Sequence, residues 1–177
     1  DNPAAVRLGV GHLLTAGYRE LLFVTEPTQG FSSREQRAAA FRAFVADPPQ
    51  PCRGQVLETP AGDDTTLDAA LRDLKRRAGG ALPAVLTANA IVTLRVAAAA
   101  QRLGWALGRD LGLVGFDDTD WAPLVGPGLT TIAQPTDDIG RLAARCVIER
   151  IEGDTGAPRQ VLLPGRLVPR GSTRPVA

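Results

Sequence analysis

Apolar positions along this chain follow two alternating rhythms, and the alternation predicts an α/β fold. Short continuous runs occur at residues 21–25, 84–88 and 111–116, with weaker ones at 55–59 and 129–134. Each is too short for a stable helix and reads as a strand, the strongest being apolar throughout, as in a parallel strand covered on both faces. Between them lie stretches with one apolar face. Asp1-Asn2-Pro3 is a helix-start signal, followed by Val6, Val10, Leu13 and Leu14 until Gly17. Ser32-Ser33, with Glu35 or Gln36 three residues on, predicts a capping box for a helix that turns Phe41, Phe44 and Val45 inward and stops before Pro48-Pro49. Asp63-Asp64-Thr65 opens a third helix with Leu67, Leu71 and Leu74 on its face and Gly79-Gly80 at its end. Further helices are expected over 91–103, rich in alanine at Ala97 to Ala100, and over 138–151, ending at Gly153. Short extended pieces at 161–163 and 166–168 close the chain, broken by prolines. Strands alternating with helices at these distances specify a parallel sheet with helices on both faces.

In such a sheet, polar residues at the carboxyl ends of strands share one edge, and ligands bind there. The run 111–116 ends abruptly in Asp117, Asp118 and Asp120. Its edge should also receive Phe31, Ser33, Arg34, Arg37, Asn89, Trp121 and Gln134. Carboxylates and amides beside aromatic faces suit a polyhydroxylated ligand, and two arginines add recognition of a carboxylate on it. Arg34 and Arg37 lie near the positive end of their helix dipole, where cations are disfavoured, so a ligand would explain them; pairing with Glu26 or Glu35 is the plainer reading. Asp118 and Asp120 read as caps of the turn after the strand, and Trp121 could equally be a core or interface residue.

Composition narrows the function classes. The chain has 177 residues, 44% hydrophobic and 22% charged, with a net charge of +1, which gives this segment no electrostatic reason to bind nucleic acid or a membrane by itself. No apolar run reaches the length of a membrane span. Cys52 and Cys146 read as free thiols in a reducing, cytoplasmic setting. His12, the only histidine, has no metal-ligating neighbour at a helical offset and reads as a solvated or half-packed residue. The chain contains no glycine-rich phosphate loop, nucleophile elbow or metal-ligand spacing, so neither a catalytic residue nor a cofactor is expected. Opening directly on a helix start, it is expected to be a piece of a longer protein.

The residues that carry a family resemblance are LGLVGFDDT (111–119), PGLTTIAQ (127–134), the segments 13–17, 33–41 and 83–89, and the tail from Leu163 that ends in PRGST. Together they resemble the effector-binding region of LacI-GalR transcription regulators, most closely the ketogluconate-responsive members. The resemblance implies a lobe like those of type I periplasmic binding proteins: a C-terminal lobe over 1–132, then a crossover helix and tail, 133–177, shared with a second lobe. It implies operator DNA bound through a domain absent from this chain, a homodimer built near the 91–103 helix and the 121–125 loop, and a sugar or sugar-acid effector, 2-ketogluconate being the expectation. By matching position, Ser33, Arg37, Asn89, Asp117 and Gln134 fall where the family contacts its effector. Ala90 stands where the family usually has aspartate. A sugar-binding protein of a transporter is the alternative.

Overall fold

The computed structural model describes residues 1–175. One six-stranded sheet organises the chain: β1 (Glu20–Thr25), β2 (Arg53–Glu58), β3 (Ala84–Thr87), β4 (Gly112–Phe116), β5 (Thr130–Ala133) and β6 (Arg166–Val168), in spatial order β2-β1-β3-β4-β5-β6. The first five run parallel; β6 pairs antiparallel with β5, with Ile132 opposite Leu167. The parallel sheet expected from the alternation is present, and the tail adds β6 antiparallel at one edge.

Strand side chains alternate between two cores. Leu21, Phe23, Leu86, Val114, Phe116 and Ile132 face α1 (Asn2–Thr15) and α2 (Ser32–Ala46), which contribute Val6, Val10, Leu13, Ala38 and Phe41. Leu22, Val24, Val85, Leu113 and Leu129 face α3 (Asp64–Ala78) and α4 (Ala90–Arg102) and meet Leu67, Leu71, Leu74, Val92 and Val96. β1, β3 and β4 are buried from end to end, and coverage of both faces explains why their interiors are apolar. Helix starts follow local chemistry: Asp1 and Asp63 accept hydrogen bonds from the amides of Ala4 and Thr66. The capping box expected at Ser32-Ser33 does not form. Helix α2 already includes Ser32, the cap residue is Phe31 without a side-chain bond, and Glu35 reaches back to the amide of Gly30 instead.

The chain departs from the sheet after β5. Helix α5 (Thr136–Ile151) buries none of its residues, and Ile139, Val147, Ile148 and Ile151 are exposed along it. The tail then comes back. β6 joins β5, and Ser172 is wholly buried, its hydroxyl donating to the Leu113 carbonyl and accepting from the Thr130 amide. The segment that stands off the sheet is thus 136–162, while the tail from residue 166 packs on this lobe. Residues 161–163 form no strand. No helix among the described residues is long and apolar enough to cross a membrane.

Candidate functional site

The strand order places β2 and β3 on opposite sides of β1, so consecutive connections diverge above the carboxyl ends of β1 and β3, where open α/β sheets form a crevice. Glu26 follows β1 and Asn89 lies two residues beyond β3. They touch: Asn89 Nδ2 donates to Glu26 Oε2 at 3.1 Å, and Arg34 Nη2 donates to the same oxygen at 2.6 Å. The Arg34 guanidinium lies 4.2 Å from the centroid of the exposed Phe31 ring.

Next along the edge, Asp117 leaves β4 with φ of 70°, the only non-glycine among the described residues with positive φ. That turn aims its carboxylate across the strand ends. Oδ1 accepts from Gln134 Nε2 at 2.5 Å and Oδ2 from the amide of Ala90 at 3.3 Å. Gln134, just past β5, accepts in turn from Arg37 Nη2 at 2.8 Å. Arg37 is only 6% exposed, and its other donors go to Asn2 Oδ1 at 2.7 Å and the Ala88 carbonyl at 2.5 Å. Its described hydrogen-bond partners are all neutral. Burial pushes this guanidinium below its ordinary pKa, and the nearby Asp117 charge opposes the shift. A ribbon of contacts therefore runs from Phe31 through Arg34, Glu26 and Asn89, and across Ala90 to Asp117, Gln134 and Arg37.

Of the expected site residues, Phe31, Arg34, Arg37, Asn89, Asp117 and Gln134 are brought together. Ser33 sits exposed in the same first turn of α2. Trp121 is half-buried against the α3–α4 core, which matches its plainer reading. Asp118 does not cap the turn after β4. It accepts from Arg170 Nη1 at 2.6 Å and Thr131 Oγ1 at 2.8 Å, pinning the tail, and the Arg170 bond holds its carboxyl below the usual range. The pairing of Arg34 with Glu26 follows its plainer reading, but sequence reasoning did not place Glu26 or Asn2 among the residues of the edge. Both had a signal, Glu26 as the first polar residue beyond an apolar strand and Asn2 as the start of a helix running antiparallel to it. Among the described residues no group of three or more His, Cys, Asp or Glu side chains could hold a metal ion. Beside Gln134 and Asn2 the edge holds a depression of only about 30 Å³, one wall of a site rather than an enclosed pocket.

This architecture and edge have known counterparts. Residues 10–173 match the family described as periplasmic binding protein-like domain. The chain belongs to that family. Within it, the domain is 42% identical over 175 residues to the HTH-type transcriptional regulator PtxS of Pseudomonas aeruginosa, covering 99% of this chain and 50% of that protein. It is 37% identical over 158 residues to the HTH-type transcriptional regulator KdgR of Bacillus subtilis, covering 88% and 46%. A dimeric Lac repressor lacking 11 C-terminal residues superposes with a TM-score of 0.81 at 25% identity, covering 100% of this chain and 63% of that one. The LacI-GalR resemblance read from the sequence is thereby upheld. The chain spans about half the length of the regulators it matches.

Proposed function

We propose that this domain is one wall of the effector site of a cytoplasmic, dimeric LacI-type repressor, binding a sugar acid of the 2-ketogluconate kind at the carboxyl edge of its sheet. The observation that carries the reading is Arg37. A guanidinium with neutral hydrogen-bond partners, buried at a strand-end crevice beside Asp117, keeps unused N–H donors for an anionic, hydroxylated ligand. Phe31, Ser33, Arg34, Asn89, Asp117 and Gln134 supply the remaining donors, acceptors and a flat apolar face. The chemistry is binding, not turnover. In the full-length protein the effector shifts the population between DNA-competent and released states, and operator contact is made by a separate domain. The relatives are transcription regulators, which favours this reading over a transporter's binding protein.

The test is calorimetry of 2-ketogluconate on the full-length protein, paired with an operator-retention assay with and without the acid. Binding that changes operator retention is the expected result; binding with no effect on operator retention would favour the transport reading. This lobe alone should bind weakly or not at all, since it forms one side of the cleft, and a tight complex with it contradicts the proposal.

A further inference from the structure

Glu26 is a carboxylate at an edge read here as the receptor for an acid, and its placement gives it a role. We propose that Glu26 is a positioning residue: it locks Arg34 over Phe31 and orients the Asn89 amide, so that Arg34 presents its free donors to the carboxylate of the ligand. The inference rests on the effector reading above and adds to it the residue that sets preference for an acidic sugar.

Three restraints converge on Arg34. Its Nη2 donates to Glu26 Oε2 at 2.6 Å, its Nη1 reaches the Pro27 carbonyl at 3.3 Å, and the Phe31 ring lies against it. Two of its five N–H donors are engaged in these bonds, which leaves three for a ligand. Asn89 is restrained in the same way. Its Oδ1 accepts from the Val92 amide at 2.9 Å and caps α4, which directs Nδ2 toward Glu26. One carboxylate oxygen thus ties the end of β1 to the first turn of α2 and the start of α4, at the point where the connections diverge.

An ordinary surface pair looks different. Arg42 and Glu58 are 3.4 Å apart with side chains 56% and 38% exposed, whereas Arg34 and Glu26 are 22% and 15% exposed. Because the charges of Glu26 and Arg34 offset each other, attraction of an anion here depends on the direction of the guanidinium donors more than on net charge. Without Glu26, Arg34 spreads over its rotamers and must be ordered by the ligand, at a cost in affinity.

The experiment measures Kd for 2-ketogluconate by calorimetry on the full-length protein, together with the melting temperature of the unliganded protein. Glu26→Ala and Arg34→Ala should each weaken binding about tenfold or more, as loss of a charge-assisted hydrogen bond does. The double variant should lose less than the product of the two single losses, because Glu26 acts largely through Arg34 and only the orientation of Asn89 remains for its removal to cost. Glu26→Gln should retain most of the affinity, its amide oxygen accepting both bonds. Glu26→Asp keeps the charge but withdraws the oxygen, so it should lose affinity. The Gln and Asp variants decide the matter even where the alanine variant does not fold. Multiplying losses, or an Asp variant that binds normally while the Gln variant does not, overturns positioning. So does a drop in melting temperature with unchanged Kd. Arg37→Ala separates the two levels: if it binds like wild type, or if wild type does not bind, the effector reading fails. If Arg37→Ala alone loses binding, the Glu26 inference fails by itself.

Discussion

The guanidinium carbon of Arg37 lies 4.0 Å from the centroid of the Phe116 ring, at the last residue of β4. The ring covers one face of the cation while three acceptors engage its edge, so the group is oriented before any ligand arrives. Arg37→Ala should abolish binding of the effector in calorimetry on the full-length protein. Arg37→Lys should not restore it, because a single ammonium cannot reproduce the fork. Wild-type affinity in either variant would remove Arg37 from the site.

Asp117 holds its left-handed turn while engaging Gln134 and the Ala90 amide. Asparagine tolerates that backbone and β-branched residues do not. Asp117→Asn should melt close to wild type yet bind the effector more weakly. Asp117→Val should lose about 1–2 kcal/mol of stability from backbone strain, read by denaturant unfolding. Equal stability of the two variants would argue against strain at this position.

His12 Nε2 lies 2.8 Å from Thr173 Oγ1, which is itself 2.7 Å from Thr130 Oγ1, so the imidazole helps to seat the tail beneath the sheet. Burial holds its pKa below the ordinary 6.5. The folded state therefore prefers the neutral ring. That contribution is complete above pH 6.5 and is lost as pH falls through the lowered folded value. Between about pH 7.5 and about pH 5 the wild type should lose more melting temperature than His12→Gln. Parallel losses would show that His12 carries no linkage.

Gly108 has φ of 77°, and a Cβ there would stand 2.2 Å from the carbonyl oxygen of Gly171 in the returning tail. Neither group can move cheaply, so Gly108→Ala should cost about 2 kcal/mol or more. Gly11, in α1 with nothing within 4 Å of its would-be Cβ, is the control. Gly11→Ala should stabilise by about 0.5–1 kcal/mol. Denaturant midpoints of the two variants check the contrast.

Strands buried on both faces announced themselves, because 21–25, 84–88 and 111–116 have no reason to be so continuously apolar except double coverage. Asp117, Asn89 and Gln134 were legible for a related reason: a polar residue directly after such a run must emerge at one edge. Pairwise partners were not. Which acid meets Arg34 depends on the neighbour relation of β1 and β3, and nothing local distinguishes Glu26 from Glu35. Asp118 looked like a cap because its true partner, Arg170, is far away in sequence on a tail whose antiparallel return gives no periodic signal. The missing Ser32-Ser33 cap has the same origin, since the Phe31–Arg34 contact and the Glu35–Gly30 bond set the entry to α2.

The chain quits the sheet at Ala133 and re-enters it at Arg166, and these two residues are direct partners in the β5–β6 ladder. Everything between them, α5 included, is consequently tied to the lobe by two neighbouring strands rather than by a single thread. Gln134, gripped by Arg37 and gripping Asp117, is the first residue past that junction. A perturbation of the Arg37–Gln134–Asp117 contacts would therefore be passed to the root of that excursion.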